Sequence, residues 1–376
     1  MIYLDNAATS FPKPDCVIRA VTECMTDYCA NPGRGGHQMS LRAGRAVYRV
    51  REQIAEFFHL DDPLRVIFTS NTTEGLNLAL HGCLRAGDHV IATAMDHNSI
   101  LRPLCALEEE GVEKTIVPCE PDGTLSLQKL EAAIRPNTRM IACNHASNLV
   151  GIINPVEQIG ALCRKYGLLF LMDAAQSAGV LPIDVQEMQV DLLAAPGHKG
   201  IMGIPGSGFL YIGTRAEVRP LQQGGTGSRS EEICQPAMWP DRYESGTLNL
   251  PGIVSIGAGL SFLENQGPGA VEQKERELMR MLYDGVRNIS GLTSYGTPDL
   301  SRRTAVLAVN KKDMTSSELA AILDADYGIC ARAGMHCAPL AHETLGTKAL
   351  GAVRLSPGYF NTREDVERVL AALEEI

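Results

Sequence analysis

Short, mainly apolar runs alternate with amphipathic segments through the first half of the chain. Five such runs fall at 66–69, 88–93, 140–143, 168–173 and 190–195. Runs of this kind are typical of strands that are buried on both faces of a parallel sheet. Segments with helical periodicity separate them, for example 41–58 and 155–166. The alternation predicts an α/β domain in which helices cover both faces of a large, mostly parallel sheet.

The pattern changes in the last third of the chain. An apolar helix at 253–263 and a charged helix at 271–289 come first. Predicted strands at 304–309, 329–332 and 352–356 then alternate with helices at 316–323 and 363–376. We therefore expect a large domain over 16–251 and a smaller α+β domain that begins at residue 252.

Composition narrows the class of protein. The 376 residues are 45% hydrophobic and 21% charged, and the formal net charge is −10. An acidic chain without a basic block does not favour a nucleic-acid surface. No basic region followed by an apolar run begins the chain, and no apolar run reaches membrane-spanning length. We expect a cytoplasmic protein without a nucleic-acid or membrane partner.

The cysteines do not indicate a disulfide framework or a metal centre. There are 11 of them, scattered and without a C-x-x-C pair or zinc-type spacing. We expect no metal site, and we expect most of the cysteines to be small buried side chains.

Lys199 is the candidate nucleophile. It lies in the segment AAPGHKG (194–200), directly after a predicted strand and before a glycine-rich run. A buried lysine loses its proton more readily than a solvated one, as a Schiff-base lysine must. A single loop lysine is more often a surface residue, so the prediction depends on Asp173, which ends an earlier strand. A strand-end Asp followed by such a lysine is the pair that pyridoxal phosphate (PLP) enzymes use.

Other polar residues also follow predicted strand ends. Thr72 and Thr73 open a helix, where they can cap the helix, bind a phosphate with its free N–H groups, or do both. His97 and Asn148 follow the next two strands. Because ligands of open α/β sheets bind at the carboxyl ends of the strands, we expect all these residues to converge with Asp173 and Lys199.

Five motifs carry a resemblance to a known family. They are YLDNAAT (3–9), TTEGLN (72–77), DAAQS (173–177), GHK (197–199) and RAGMHCA (332–338). Together they resemble the class V aminotransferase family, and within it the branch of cysteine desulfurases and selenocysteine lyases. The resemblance runs from residue 3 to about residue 363, in the order of the family. It implies the PLP-dependent type I fold and adds residues 1–15 to the small domain.

The resemblance also implies how PLP is held. Lys199 binds it, Asp173 pairs with the pyridine nitrogen, Gln176 bonds the ring oxygen, and His97 stacks on the ring and can move protons. The remaining implied cofactor contacts are Asn148 and the phosphate-binding residues Thr72, Thr73, His198, Gly246 and Thr247. The last two reach the neighbouring subunit in relatives, which implies a homodimer with shared active sites. Arg34 and His37, in a glycine-rich loop, are expected to lie near the site.

One position departs from the family. Where relatives carry Ser or Thr two residues before the His-Lys pair, this chain has Pro196, which offers neither a hydroxyl nor an N–H. One phosphate contact is therefore in question.

The implied reaction converts L-cysteine to L-alanine and leaves a persulfide on Cys337. Arg354 would clamp the substrate α-carboxylate, and Arg332 and Asn148 would also contact the substrate. We expect His336 and Arg332 to lower the Cys337 pKa. A sulfur-acceptor protein is a further partner. The alternatives left open are a selenocysteine lyase acting on L-selenocysteine, a class V aminotransferase or epimerase, and a noncatalytic scaffold with a PLP fold.

Overall fold

The computed structural model describes residues 1–33 and 35–376. The first part of the chain supplies the strands β1 (Ile2–Tyr3), β2 (Val66–Thr69), β3 (His89–Thr93), β4 (Glu113–Val117), β5 (Thr138–Asn144), β6 (Leu169–Asp173), β7 (Leu192–Pro196) and β8 (Gly208–Ile212). Its helices are α1 (Asp15–Glu23), α2 (Gln38–Phe57), α3 (Thr72–Cys83), α4 (Asn98–Glu109), α5 (Leu127–Ala132) and α6 (Val156–Tyr166). The rest contributes α7 (Leu250–Gln266), α8 (Ala270–Asn288), β9 (Leu292–Tyr295), β10 (Leu307–Lys311), α9 (Ser316–Tyr327), β11 (Ile329–Cys330), β12 (Arg332–Gly334), α10 (Pro339–Thr344), β13 (Ala352–Leu355) and α11 (Arg363–Glu375).

Seven strands form the central sheet, in the order β2-β8-β7-β6-β5-β3-β4. All neighbours are parallel except β8, which is antiparallel to both β2 and β7. The strands β3, β6, β7 and β8 are buried along their whole length. The predicted α/β fold with a large, mostly parallel sheet is confirmed.

Helices cover both faces of the central sheet. On one face, α2 and α7 pack through Val50, Ile54, Ile253 and Leu260. On the other, α3 and α4 pack through Leu76, Leu80, Ile100 and Leu104. The division of the chain at residue 252 stays a prediction. Because α7 packs with α1 and α2 on the central sheet, the contacts favour a boundary beyond α7.

A smaller antiparallel sheet follows, in the order β12-β13-β10-β9. The first strand of the chain lies against this part of the molecule, because β1 pairs with β11 in parallel, Ile2 opposite Ile329. Asp5 then forms a bridge with Ser356. The N-terminal segment thus extends from the second layer towards the carboxyl ends of the central strands.

Several local predictions differ from the structure. The segment predicted as one strand at 329–332 is two strands, β11 and β12, which belong to different sheets. Four of the 11 cysteines are buried, not most of them. His37 caps α2 by accepting a hydrogen bond from the Ser40 N–H, and Arg34 lies outside the described residues. In the described part of the chain, no helix has the length and apolar character that crossing a membrane requires.

Candidate active site

The predicted strand-end residues meet in one cavity. It lies at the carboxyl ends of β3, β5, β6 and β7, as the topology of an open α/β sheet requires. Its lining includes eight residues predicted from the sequence: Thr72, Thr73, His97, Asn148, Asp173, Gln176, His198 and Lys199. Their convergence follows from the parallel strands, and it places acidic, basic and hydroxyl groups around one ligand-sized space.

Lys199 lies just beyond β7, opposite the carboxylate that ends β6. Burial is the main cause that lowers the pKa of Lys199 to about 8, and the positive charges of Arg354 and Arg332 act in the same direction. Asp173 opposes them. The Asp173 carboxylate is 3% exposed and accepts a hydrogen bond of 2.8 Å from the Ala175 N–H, while burial raises its pKa. The site thus makes the Lys199 amine easier to deprotonate than an ordinary lysine, beside a buried acid.

The start of α3 forms one side of the cavity. The sequence left Thr72 or Thr73 as possible caps, but the cap is Asn71, whose side chain accepts from the Glu74 N–H at 3.0 Å. Thr72 is therefore inside the first turn. Its Oγ1 and the His198 Nδ1 are buried without a hydrogen-bond partner among the described residues. Two unpaired polar atoms beside a helix N-terminus are what an absent anion would satisfy.

His97 stands at the start of α4 and lines the cavity. Its Nδ1 accepts from the Ser99 N–H at 3.0 Å, so the ring is fixed at the helix cap. Burial, followed by the charge of Lys199, lowers the pKa of His97 to about 4. The ring is therefore neutral near pH 7 and can stack on an aromatic ligand.

Two arginines approach Lys199 from the second sheet. Arg332 and Arg354 are directly opposite each other on β12 and β13. The Arg354 guanidinium is 1% exposed; it donates to Asp5 Oδ1 at 2.6 Å and to the Asn148 carbonyl at 3.0 Å. Its Nε is buried without a partner among the described residues. This arrangement suits a carboxylate ligand.

Cys337 lies in a loop that is held against the cavity. The Cys337 carbonyl accepts from the Asn98 N–H at 2.8 Å, next to His97, and the His336 carbonyl accepts from Asn148 Nδ2 at 2.7 Å. The Cys337 side chain is exposed. His336, however, is 3% exposed, and burial lowers its pKa to about 3. A neutral ring cannot lower a thiol pKa by its charge, so this sequence-based expectation for His336 is wrong.

Three positions from the sequence analysis remain to be located, namely Gly246, Thr247 and Pro196. Gly246 and Thr247, like Arg332, Arg354 and Cys337, are not among the described residues that line the Lys199 cavity. Gly246 instead lines a separate cavity with Gly33 and Tyr48. Pro196 ends β7 opposite Gly208, close to the start of α3, where a serine would place a hydroxyl.

Comparison with known proteins agrees with this geometry. The model of the family described as aminotransferase class-V matches residues 2–369. The chain belongs to the class V aminotransferase family. Within this family, a probable cysteine desulfurase of Methanothermobacter thermautotrophicus is 36% identical, and the match covers 100% of this chain and 94% of the relative. A cysteine desulfurase of Salmonella agona is 33% identical, with 100% and 93% covered.

Solved structures of the family show the same fold. The apo cysteine desulfurase of Thermococcus onnurineus superposes with a TM-score of 0.93 at 34% identity, covering 100% of this chain and 94% of that one. The Escherichia coli cysteine desulfurase CsdA, in an S-sulfonic acid form, gives a TM-score of 0.89 at 26% identity, covering 99% and 94%. The recognised family and the PLP-type fold are thus confirmed.

The sequence did not identify every residue that shapes the site. Asp5, the ion-pair partner of Arg354, is separated from it by almost the whole chain. His342 and Thr347, which contact the His336 ring directly or through each other, were also missed. Asp5 belongs to the motif YLDNAAT (3–9), and this was the one signal in the sequence that pointed to it.

Proposed function

We propose that the protein is a PLP-dependent cysteine desulfurase that converts L-cysteine to L-alanine and forms a persulfide on Cys337. The proposal depends on one observation, the arrangement of residues around Lys199. A lysine with a lowered pKa and a buried aspartate line one cavity, and two arginines lie close enough to lower the pKa of that lysine. The Cys337 loop is bonded to Asn148, which also lines the cavity. The named relatives support the same activity.

The residues present fit PLP. Asp173 would hold the pyridine nitrogen, Gln176 the ring oxygen, and the start of α3 with Thr72 and His198 the phosphate. Thr72 Oγ1 and His198 Nδ1 are the buried atoms that lack partners among the described residues, so a phosphate would satisfy them. When bound, PLP supplies an electron sink for cleavage of the substrate Cα–H bond.

Lys199 supplies the amine that binds the cofactor and takes the Cα proton. With a pKa of about 8, a sizeable share of its amine is uncharged near neutral pH. The neutral His97 ring, held by the Ser99 N–H at Nδ1, would stack on the ring of the cofactor. Arg354 and Arg332 would orient the substrate by its α-carboxylate, since they lie opposite each other on adjacent strands and their charges act on Lys199.

Cys337 accepts the sulfur. Its thiolate attacks the substrate sulfur, so that a sulfur–sulfur bond forms while the Cβ–S bond breaks. The electron pair of that bond remains on carbon, and one of the two thiol protons ends on Cβ to complete alanine. Because the Cys337 side chain is exposed, the persulfide can then pass to an acceptor protein.

We also propose a homodimer in which Gly246 and Thr247 complete the phosphate site of the other subunit. Within one chain these residues lie away from the Lys199 cavity, as a contribution to a second site requires. We place the protein in the cytoplasm.

Cys337→Ala tests the proposal, with Cys330→Ala as its control because Cys330 lies nearby on β11. Each variant and the wild type would receive L-cysteine and L-selenocysteine, and alanine would be measured. We expect Cys337→Ala to lose cysteine turnover by orders of magnitude, to keep much of its selenocysteine turnover, and to keep its PLP absorbance. The Cys330 variant should resemble the wild type. Full cysteine turnover by Cys337→Ala would refute the persulfide role.

A further inference from the structure

The backbone around Cys337 is held in an uncommon conformation. His336 and Cys337 both lie in the left-handed region, with φ of 50° and 54°. Residues other than glycine enter this region at a cost and remain there only where surrounding bonds impose it. The carbonyl bonds to Asn98 and Asn148 fix one side of the loop. The other side is fixed by the His336 ring.

The His336 ring belongs to a buried polar chain. His336 Nε2 lies 3.1 Å from the Arg332 carbonyl, and His336 Nδ1 lies 3.4 Å from His342 Nε2. His342 Nδ1 lies 2.7 Å from Thr347 Oγ1. The two rings are nearly parallel, at 13°, and all three side chains are at most 3% exposed.

The positions of the hydrogens in this series of hydrogen bonds follow from the Arg332 carbonyl at its end. A carbonyl only accepts, so His336 Nε2 must donate to Arg332 and His336 Nδ1 must accept. His342 Nε2 then donates to His336, which leaves His342 Nδ1 to accept from the Thr347 hydroxyl. Burial lowers the pKa of both rings, so both are neutral near pH 7. The Thr347 hydroxyl also lies 3.4 Å from the His342 carbonyl, but the shorter contact of 2.7 Å to Nδ1 is the better hydrogen bond.

We propose that His342 and Thr347 are positioning residues of the sulfur-transfer step: through His336 they hold the backbone that presents the Cys337 thiol. The inference rests on the proposed desulfurase function. Both side chains are almost fully buried and meet the Cys337 loop through the His336 ring, so neither touches the reacting atoms. Their loss should impair the attack by Cys337 and leave the Lys199 proton transfer intact.

The test compares two nearly isosteric variants of neighbouring threonines. Thr347→Val removes the donor to His342 and leaves a buried ring nitrogen unpaired. Thr344→Val is the control, because the Thr344 hydroxyl bonds only its own helix, at the Leu340 carbonyl. Thr347→Ser restores the hydroxyl. In holoenzyme, alanine formation from L-cysteine and exchange of the substrate Cα hydrogen with deuterated solvent would be followed side by side.

Leaving a buried acceptor unpaired costs free energy, and the cost is enough to shift the equilibrium between two loop conformations about tenfold. We therefore expect Thr347→Val to lower kcat for alanine about tenfold, to change KM by less than about twofold, and to exchange the Cα hydrogen at the wild-type rate. Amide hydrogen exchange at 335–338 should become faster. Thr347→Ser and Thr344→Val should behave as wild type.

His342 gives a second, independent comparison should Thr347→Val fail to fold. In His342→Gln the amide nitrogen can take the place of Nε2 and donate to His336. In His342→Asn it lies near the Nδ1 position, too far from His336. We expect the Gln variant to keep much more alanine formation than the Asn variant.

The outcomes separate the two proposals. Wild-type kcat in Thr347→Val and His342→Asn, with Cys337→Ala inactive, would refute the positioning role and leave the desulfurase function standing. Equal losses in Thr347→Val and Thr344→Val would also refute it, because they would indicate general destabilisation. Full activity of Cys337→Ala would overturn the proposed function and this inference with it.

Discussion

The lowered pKa of Lys199 gives a prediction that can be measured without the enzymatic reaction. The pKa of about 8, against an ordinary value of 10.5, results mainly from burial. At pH 7.5 a pKa of 8 leaves about one quarter of the amine uncharged, whereas an ordinary lysine has about one thousandth. Lys199 should therefore react with an electrophile about two hundred times faster than an unperturbed lysine of equal access.

Trace labelling of the apoprotein with acetic anhydride, read by mass spectrometry across a pH series, measures this pKa. Only the uncharged amine reacts, so labelling should rise about tenfold per pH unit below 8 and level off above it. Exposed Lys312 provides an internal reference. Binding of PLP to the apoprotein should follow the same pH profile.

Two variants separate the causes of the shift. Asp173 raises the Lys199 pKa, so Asp173→Asn should move the labelling midpoint to lower pH. Arg354 lowers it, so Arg354→Gln should move the midpoint to higher pH. A midpoint near 10, or shifts of the same sign in both variants, would refute the assignment of a buried amine between opposed charges.

Three other predictions concern the ligands and the assembly. Arg354→Gln should raise KM for L-cysteine about ten- to a hundredfold by removing a charge-assisted bond to the carboxylate, while PLP absorbance is retained; an unchanged KM would place the carboxylate elsewhere. Sedimentation should show a dimer, and Thr247→Ala should retain PLP less well on dialysis; a monomer with full PLP occupancy and activity would exclude a shared site. Pro196→Ser should slow the loss of PLP on dialysis by adding a hydroxyl near the start of α3, and unchanged or faster loss would count against that contact.

The core of the site could be predicted because it depends on short-range rules. Thr72, Asp173 and Lys199 each follow a strand, and parallel strands bring such residues to one edge of the sheet. The same rule requires no knowledge of the loops between them. The polar lining of the large cavity was therefore accessible from the sequence.

There is a physical reason why the residues that support Cys337 could not be predicted. His342 lies within a six-residue helix and Thr347 lies in the turn after it, where no periodicity marks which side chains face inward. The prediction that most of the cysteines are buried failed for a similar reason. Small apolar character favours burial only on average, and loop geometry decides the individual case.

The ion pair between Asp5 and Arg354 shows how the two layers of the molecule prepare one site. A buried arginine without an anion would be costly, and Asp5 together with the Asn148 carbonyl removes that cost before any substrate arrives. Both contacts use the terminal nitrogens and leave Nε without a partner among the described residues. Arg354 is thus fixed in place, and in the proposed function its charge is already positioned for the substrate carboxylate. Because its orientation is already determined, substrate binding does not have to order this side chain, and more of the binding free energy is available to position the Cα–H bond at Lys199.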